Sequence, residues 1–312
     1  MAKNKHLTEA DTQLHKRIPN ALDDGACLTG HESKYTEKNS CSYRYQVVEH
    51  SRANGGRAAL YKLGDESFGQ LSRDNVLGLI QTSRYRTTKG PSRTNPSGKY
   101  PRDSKYGDQL RVPRPGDWDV DGPHRTGALG ASGLPIDPGM NFTNSYWPYW
   151  NNAHHMIPQG TFNTQIENSG PRTALLIRAG LLKAKYNINR FNNMLLLPMD
   201  TEVGKLLNLP RHLTLDDGST EFDDNPKFNH TLYNAKVTSR LDSIISDYKE
   251  EVEKITTQDE KCAIAEVGPL SKVKLYSLSI YCYESIKLLG LRNPGGPLVD
   301  LPGLTLSSPT SL

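Results

Sequence analysis

Before about position 145 the apolar residues come only in short runs. These are Tyr45-Gln46-Val47-Val48, Ala58-Ala59-Leu60-Tyr61 and Val76-Leu77-Gly78-Leu79-Ile80, the last fitting a helical turn or a short strand between Asn75 and Gln81. From Thr87 to Met140 periodicity almost vanishes, and Lys89-Gly90-Pro91, Asn95-Pro96-Ser97-Gly98, Pro113-Arg114-Pro115-Gly116 and Gly133-Leu134-Pro135 break the chain into loop or extended segments. The aromatic-rich stretch Phe142 to Tyr149 suits packing of a small core better than flanking a nucleic-acid groove. Beyond it the pattern becomes regular. Pro171 to Leu182 predicts a helix, with Pro171 in the first turn and Leu175, Leu176, Ala179 and Leu182 forming an apolar stripe. Met194-Leu195-Leu196-Leu197, closed by Pro198, reads as a buried strand, and Asp200 to Leu209 as a further short helix.

The acidic, turn-rich stretch Thr214 to Asn225 reads as a loop. Asn225-Pro226 then offers a cap and a first-turn proline for the strongest helix of the chain, which runs through Asp247 with Leu232, Leu241, Ile244, Ile245 and Tyr248 at helical spacing. On that helix His230, Tyr233, Asn234, Val237 and Leu241 share a face (i, i+3, i+4, i+7, i+11), so His230 points toward whatever the helix packs on. Lys272 to Leu291 suggests one more amphipathic helix, with a loose tail from Gly295-Gly296-Pro297 onward.

Composition narrows the class. Of 312 residues only 35% are apolar, against about 45–50% with glycine in an ordinary globular chain, and 26 Gly and 20 Pro imply many loops. A net charge of +4 permits nucleic acid as a partner without arguing for it alone. The basic run from Arg84 to Arg111 is diluted by Asp103, Asp108, Asp117, Asp119 and Asp121, and reads as a solvated linker ahead of a phosphate-seeking arm. Cys27, Cys41, Cys262 and Cys282 form no Cys-x-x-Cys pair, which argues against a zinc knuckle and favours reduced thiols over two wide disulfides. No apolar run comes after Met-Ala-Lys-Asn-Lys-His, and no stretch approaches the ~20 apolar residues of a membrane span, so the expectation is a chain made in the cytoplasm without a signal peptide and without a membrane partner.

Candidate chemistry lies in the histidines. Ala153-His154-His155-Met156-Ile157-Pro158 is succeeded in order by Asn193, His212 and His230-Thr231-Leu232-Tyr233-Asn234, whereas His6, His15, His31, His50 and His124 carry no pattern and read as surface residues. Phosphodiester hydrolysis needs a water to lose its proton and a leaving oxygen to be stabilised. An imidazole titrates near working pH and can take that proton. A cation held by neutral imidazoles neutralises charge on the phosphate and the leaving oxygen. Adjacent histidines on a strand face opposite ways, so one can face a metal and the next the water where the strand ends. An Asn on a second strand can brace the loop that carries the base.

Taken together, Ala153-His154-His155-x-x-Pro158, a helix, Asn193-x-x-x-Leu197-Pro198 and His230-x-x-Tyr233-Asn234-x-x-Val237 resemble the AHH subgroup of the HNH/endonuclease VII superfamily of ββα-metal nucleases, many of them bacterial toxin or effector domains, with the colicin DNases as more distant relatives. The resemblance spans about residues 146–250. It implies an α+β fold in which a β-hairpin and a helix enclose one divalent metal (Zn, Ni, Mg or Mn), with added helices and a loop-rich N-terminal region. It implies His154 as a metal ligand, His155 as the general base, Asn193 as the residue orienting that base and His230 as a ligand on the helix. His212 stands where the family carries another His, but much farther from His230 than the family's spacing; the ligand set is either His154, His212 and His230, or one in which His212 pairs with Asp216 and His230 stands behind. Arg211 beside His212 is a candidate phosphate contact. The implied organisation is a delivery or docking region (1–145), a nuclease domain (146–255) and a C-terminal helix with a loose tail (256–312). The implied activity is endonucleolytic, on DNA rather than RNA, by an antibacterial effector carried into other cells by a dedicated machine such as type VI secretion. Its partners would be nucleic acid, a cognate immunity protein and a secretion component reached through residues 1–145. A metal-stabilised binding module without catalysis is the alternative from another class, and an RNase with the same site a third.

Overall fold

Leu195, Leu196 and Leu197 pair with a strand bearing two histidines, and this small sheet positions the candidate site. In the computed structural model the described residues are 26–28, 35–37, 40–53, 119–121, 139, 141–143, 151–198, 204–205, 207–212 and 231–298. Strand β1 (Asn151–His155) runs antiparallel to β2 (Met194–Pro198), with Asn151 opposite Pro198, His154 opposite Leu195 and His155 opposite Met194. All five residues of β2 are buried, as a short apolar run between breakers requires. The architecture is mixed helix and strand, with six α-helices around this two-stranded antiparallel sheet among the described residues.

The strands are not joined by a tight turn. Between them lie α2 (Gln159–Asn168), α3 (Pro171–Lys183) and a 3-10 turn at Phe191–Asn193. Helix α3 is the one its stripe and Pro171 predict, and its burial extends further around the helix, to Ala174, Ile177 and Leu181, while Leu175 is only half-buried. Gly170, with φ of 94°, supplies the left-handed residue on which the chain turns from α2 into α3. At the far end Lys185 takes a left-handed φ of 56°, and Tyr186 N–H returns to Leu181 O at 2.9 Å, so the helix closes in a Schellman motif without glycine. Helix α2, which no periodicity announces, buries only Phe162 and Ile166.

Residues 43–53 form a helix ahead of these, α1 (Tyr43–Ala53). Helix α4 (Thr231–Val252) buries Tyr233, Val237, Leu241, Ile244, Ile245, Tyr248 and Val252, the face expected of it, but leaves Leu232 60% exposed on the opposite side. The acidic loop, the Asn225-Pro226 cap, Asp216 and His230 lie outside the described residues, as do the Asn75–Gln81 element and most of Thr87 to Met140. Helix α5 (Glu260–Glu266) begins at Asp259, whose carboxylate accepts from Cys262 N–H at 2.8 Å. Helix α6 (Val273–Arg292) is the last amphipathic helix, and the tail beyond it, expected to be loose, is tied down as far as Leu298. Arg211 N–H donates to Gly296 O at 2.8 Å and Leu298 N–H to Arg211 O at 2.9 Å, a parallel bridge that joins residues 296–298 to the segment carrying His212. Glycine permits the close approach on α6: a Cβ at Gly290 would meet the Asn208 carbonyl and lie 2.8 Å from Leu209 Cα.

The core ignores the expected boundary at residue 145. Ala26, Leu28, Val47, Val48, Val120 and Phe142 are buried in the same apolar cluster as the strands and α4. Val47 and Val48 belong to α1, which packs on β2. His50, which its sequence context assigns to the surface, is 7% exposed there and bonds through Nδ1 to Phe191 O at 2.5 Å. The helix buries Tyr45, Val47 and Val48, and His50, one turn on, is carried in with them. No helix among the described residues is long and apolar enough to cross a membrane.

Candidate metal and base site

Alternation along β1 sorts its side chains between two faces. Asn152 and His154 share one face, where Asn152 Nδ2 lies 3.4 Å from His212 Nδ1 and the His154 and His212 rings approach to 5.0 Å between centres, their planes at 66°. Asn151 and His155 share the other, which α1 covers: Arg44 bonds to Asn151 Oδ1 and, at 3.2 Å, to its carbonyl, while Tyr43 sets its ring edgewise to His155 at 4.8 Å.

On the first face three elements converge. Strand β1 presents His154, which is 2% exposed. His212, also buried, continues the edge of β2 because its N–H donates to Pro198 O at 2.9 Å, and the tail bonded to Arg211 holds it in place. The first turn of α4 supplies Tyr233, whose ring lies 5.2 Å from that of His154 and whose hydroxyl donates to Met156 O just past the strand. Two imidazoles bound to one tetrahedral cation at ~2.0–2.1 Å per nitrogen set their ring centres roughly 5 Å apart. The spacing of His154 and His212 therefore fits a shared cation, and neutral imidazole is the right donor for it. Among the described residues no third His, Cys, Asp or Glu joins them. The two other candidates, His230 and Asp216, lie outside the described residues.

On the second face His155 Nε2 is 2.8 Å from Asn189 Oδ1. Its ring keeps part of its surface, yet the protein packed around it pushes its pKa from 6.5 down to about 4, against a smaller upward pull from the Asn189 bond. The imidazole is thus neutral at working pH, the form a general base needs, though a weakly basic one. Asn193, expected on a second strand bracing the loop that carries His155, sits in the turn just before β2 and bonds to the backbone of that loop. Its Oδ1 accepts from Ile157 N–H at 2.8 Å and from Ser279 Oγ at 2.9 Å, and its Nδ2 donates to Ile188 O at 2.8 Å. This locks the loop leaving His155 onto the turn before β2 and onto α6. The residue touching the His155 ring is Asn189, to which the sequence pattern assigns no role; Tyr43 and Asn152 are equally unmarked. The one signal for Asn189 is its alternation with Asn187 around Ile188, four to six residues before Asn193. Arg211 is half-buried beside His212, its backbone fixed by the tail.

The four cysteines are free thiols, with Cys27, Cys41 and Cys282 buried and Cys262 exposed. Compared with family models, curated proteins and solved structures, the chain matches none of them.

Proposed function

We propose that the chain is a metal-dependent endonuclease of the ββα-metal kind, similar to the AHH subgroup of HNH nucleases, that cleaves DNA as an antibacterial effector. The observation carrying the reading is the meeting of His154 and His212, remote in sequence, at a spacing that suits one cation. Two features add support: the first turn of α4 lies against His154, and Asn193 braces the loop just after the histidine pair. His154 and His212 hold the cation, with His230 or Asp216 as the further ligand. When bound, the cation supplies charge neutralisation at the scissile phosphate and at the leaving 3′-oxygen. His155, neutral at the end of β1, takes the proton of the attacking water, and Arg211 binds a phosphate oxygen. An acidic immunity protein suits a chain of charge +4, and residues 1–145 carry the contacts to a secretion machine.

One observation favours a second reading, a metal-stabilised binding module: His155 lies across the strand from the pair it would serve. The experiment that separates them uses purified protein with plasmid DNA and total RNA, with and without chelator, beside His155→Ala, His154→Ala and His212→Ala. The nuclease reading expects chelator-sensitive plasmid nicking that His155→Ala lowers by about 10²–10⁴-fold without loss of bound metal. His154→Ala and His212→Ala lose both metal and cleavage. Wild-type protein that binds metal but cuts neither nucleic acid sinks the nuclease and leaves the binding module. Cleavage of RNA alone makes it an RNase.

A further inference from the structure

The second face of β1 holds a chain of side chains to which the proposed mechanism gives no role, and it begins in the N-terminal region. Cys27 is fixed by two backbone bonds around residue 187: its N–H donates to Tyr186 O at 3.0 Å, and its carbonyl accepts from Ile188 N–H at 2.7 Å. Its thiol is thereby set beside Asn189, whose Nδ2 donates to Cys27 Sγ at 3.5 Å. Asn189 is fully buried, and its own N–H donates to Asn187 Oδ1 at 2.9 Å, so both its backbone and its amide are held. With Nδ2 turned to sulfur, Oδ1 faces His155 Nε2 at 2.8 Å. A ring nitrogen facing a carbonyl oxygen at that distance must carry the proton. Tyr43 closes the side of the ring.

We propose that Asn189, braced by Cys27, is a positioning residue that holds His155 with its proton on Nε2, leaving Nδ1 as the nitrogen whose lone pair is offered to water. The assignment rests on the nuclease reading only for the use made of Nδ1; the tautomer is a property of the folded chain. It also gives the N-terminal region a place in the site, because Cys27 and Tyr43 both come from it.

The test is a long-range proton–nitrogen correlation spectrum of the full chain labelled with ¹⁵N-histidine near neutral pH, with His155 identified by the signals lost in His155→Gln. The expected spectrum has a protonated Nε2 and a bare Nδ1 at His155. Asn189→Leu, close in size but without an acceptor, gives a mixture of tautomers, and kcat for plasmid cleavage falls about 10²-fold with KM unchanged. Cys27→Ser, which keeps a polar partner for Nδ2, restores the wild-type tautomer and most of kcat relative to Cys27→Val. A wild-type His155 protonated on Nδ1 overturns the proposal, as does an Asn189→Leu protein with unchanged tautomer and unchanged kcat. If the tautomer behaves as expected but the wild-type chain cuts nothing, the positioning stands and the nuclease reading falls.

Discussion

Asn193 is the residue through which most of the site's geometry passes. Its amide joins the loop after β1, the backbone before β2 and a hydroxyl on α6, all within a buried space. Asn193→Ala removes the side-chain partner of the Ile157 N–H and of the Ile188 carbonyl and leaves the Ser279 hydroxyl only its bond to Leu275 O, so the expected loss is about 2–4 kcal/mol in a urea unfolding curve. An unchanged midpoint would mean that the Ile157 N–H and the Ile188 carbonyl find other partners. Two imidazoles whose pKa is lowered, those of His50 and His155, shape the pH response. Burial lowers the pKa of His50, against a bond to Phe191 O that pulls it up, and lowers that of His155 to about 4. In both cases the unfolded chain binds the proton more readily than the folded one. Their contribution is therefore complete above the ordinary value of 6.5, declines as pH falls below it, and for His155 is gone by about pH 4. Melting temperature should drop from pH 7 to pH 5, and His50→Gln should flatten part of that slope.

At the scale of elements, the segment that delivers His212 is held on two sides, by α6 where Gly290 lets Asn208 and Leu209 come close, and by the tail at Gly296 to Leu298. Gly290→Ala forces backbone against backbone, with an expected cost of about 1–3 kcal/mol. Because the displaced residues lead straight into His212, metal affinity measured by calorimetry should fall along with stability. A variant destabilised with its metal affinity intact would show that His212 is positioned from elsewhere. The strand Met194–Pro198 and the helices α3, α4 and α6 are legible in the sequence because burial imposes a period on them. The facing of His154 and His155 to opposite sides comes from strand geometry alone. Helix α2 is not legible, since it buries only Phe162 and Ile166, and α5 spans too few residues to show a period. The partner of the His155 ring is hidden for a different reason. Side-chain amides bond in any direction, and nothing in spacing says that Asn189 reaches the His155 ring. The tail reads as loose because Gly295-Gly296-Pro297 has turn composition, which is equally what a close approach to another segment needs.

For the whole molecule, the consequence of a shared core is that Ala26, Leu28, Val47 and Val48 belong to the same packed unit as the strands and α4. Helix α1 covers the face of the sheet that carries Asn151 and His155, and Ala26 and Leu28 lie buried in the same cluster. A fragment of residues 146–312 is expected to lose cooperative melting by calorimetry and to expose apolar surface to a dye that the full chain excludes. A sharp transition in the fragment would show that residues 26–53 merely decorate an independent unit.

The bridge between Arg211 and Pro297 has a consequence for how such a protein can be silenced. A binder that grips residues 296–298 pulls on one side of a short ladder whose other side leads to His212. If the proposed cation site is right, inhibition would need nothing seated on the histidines: peeling away residues 296–298 would loosen the segment that holds His212.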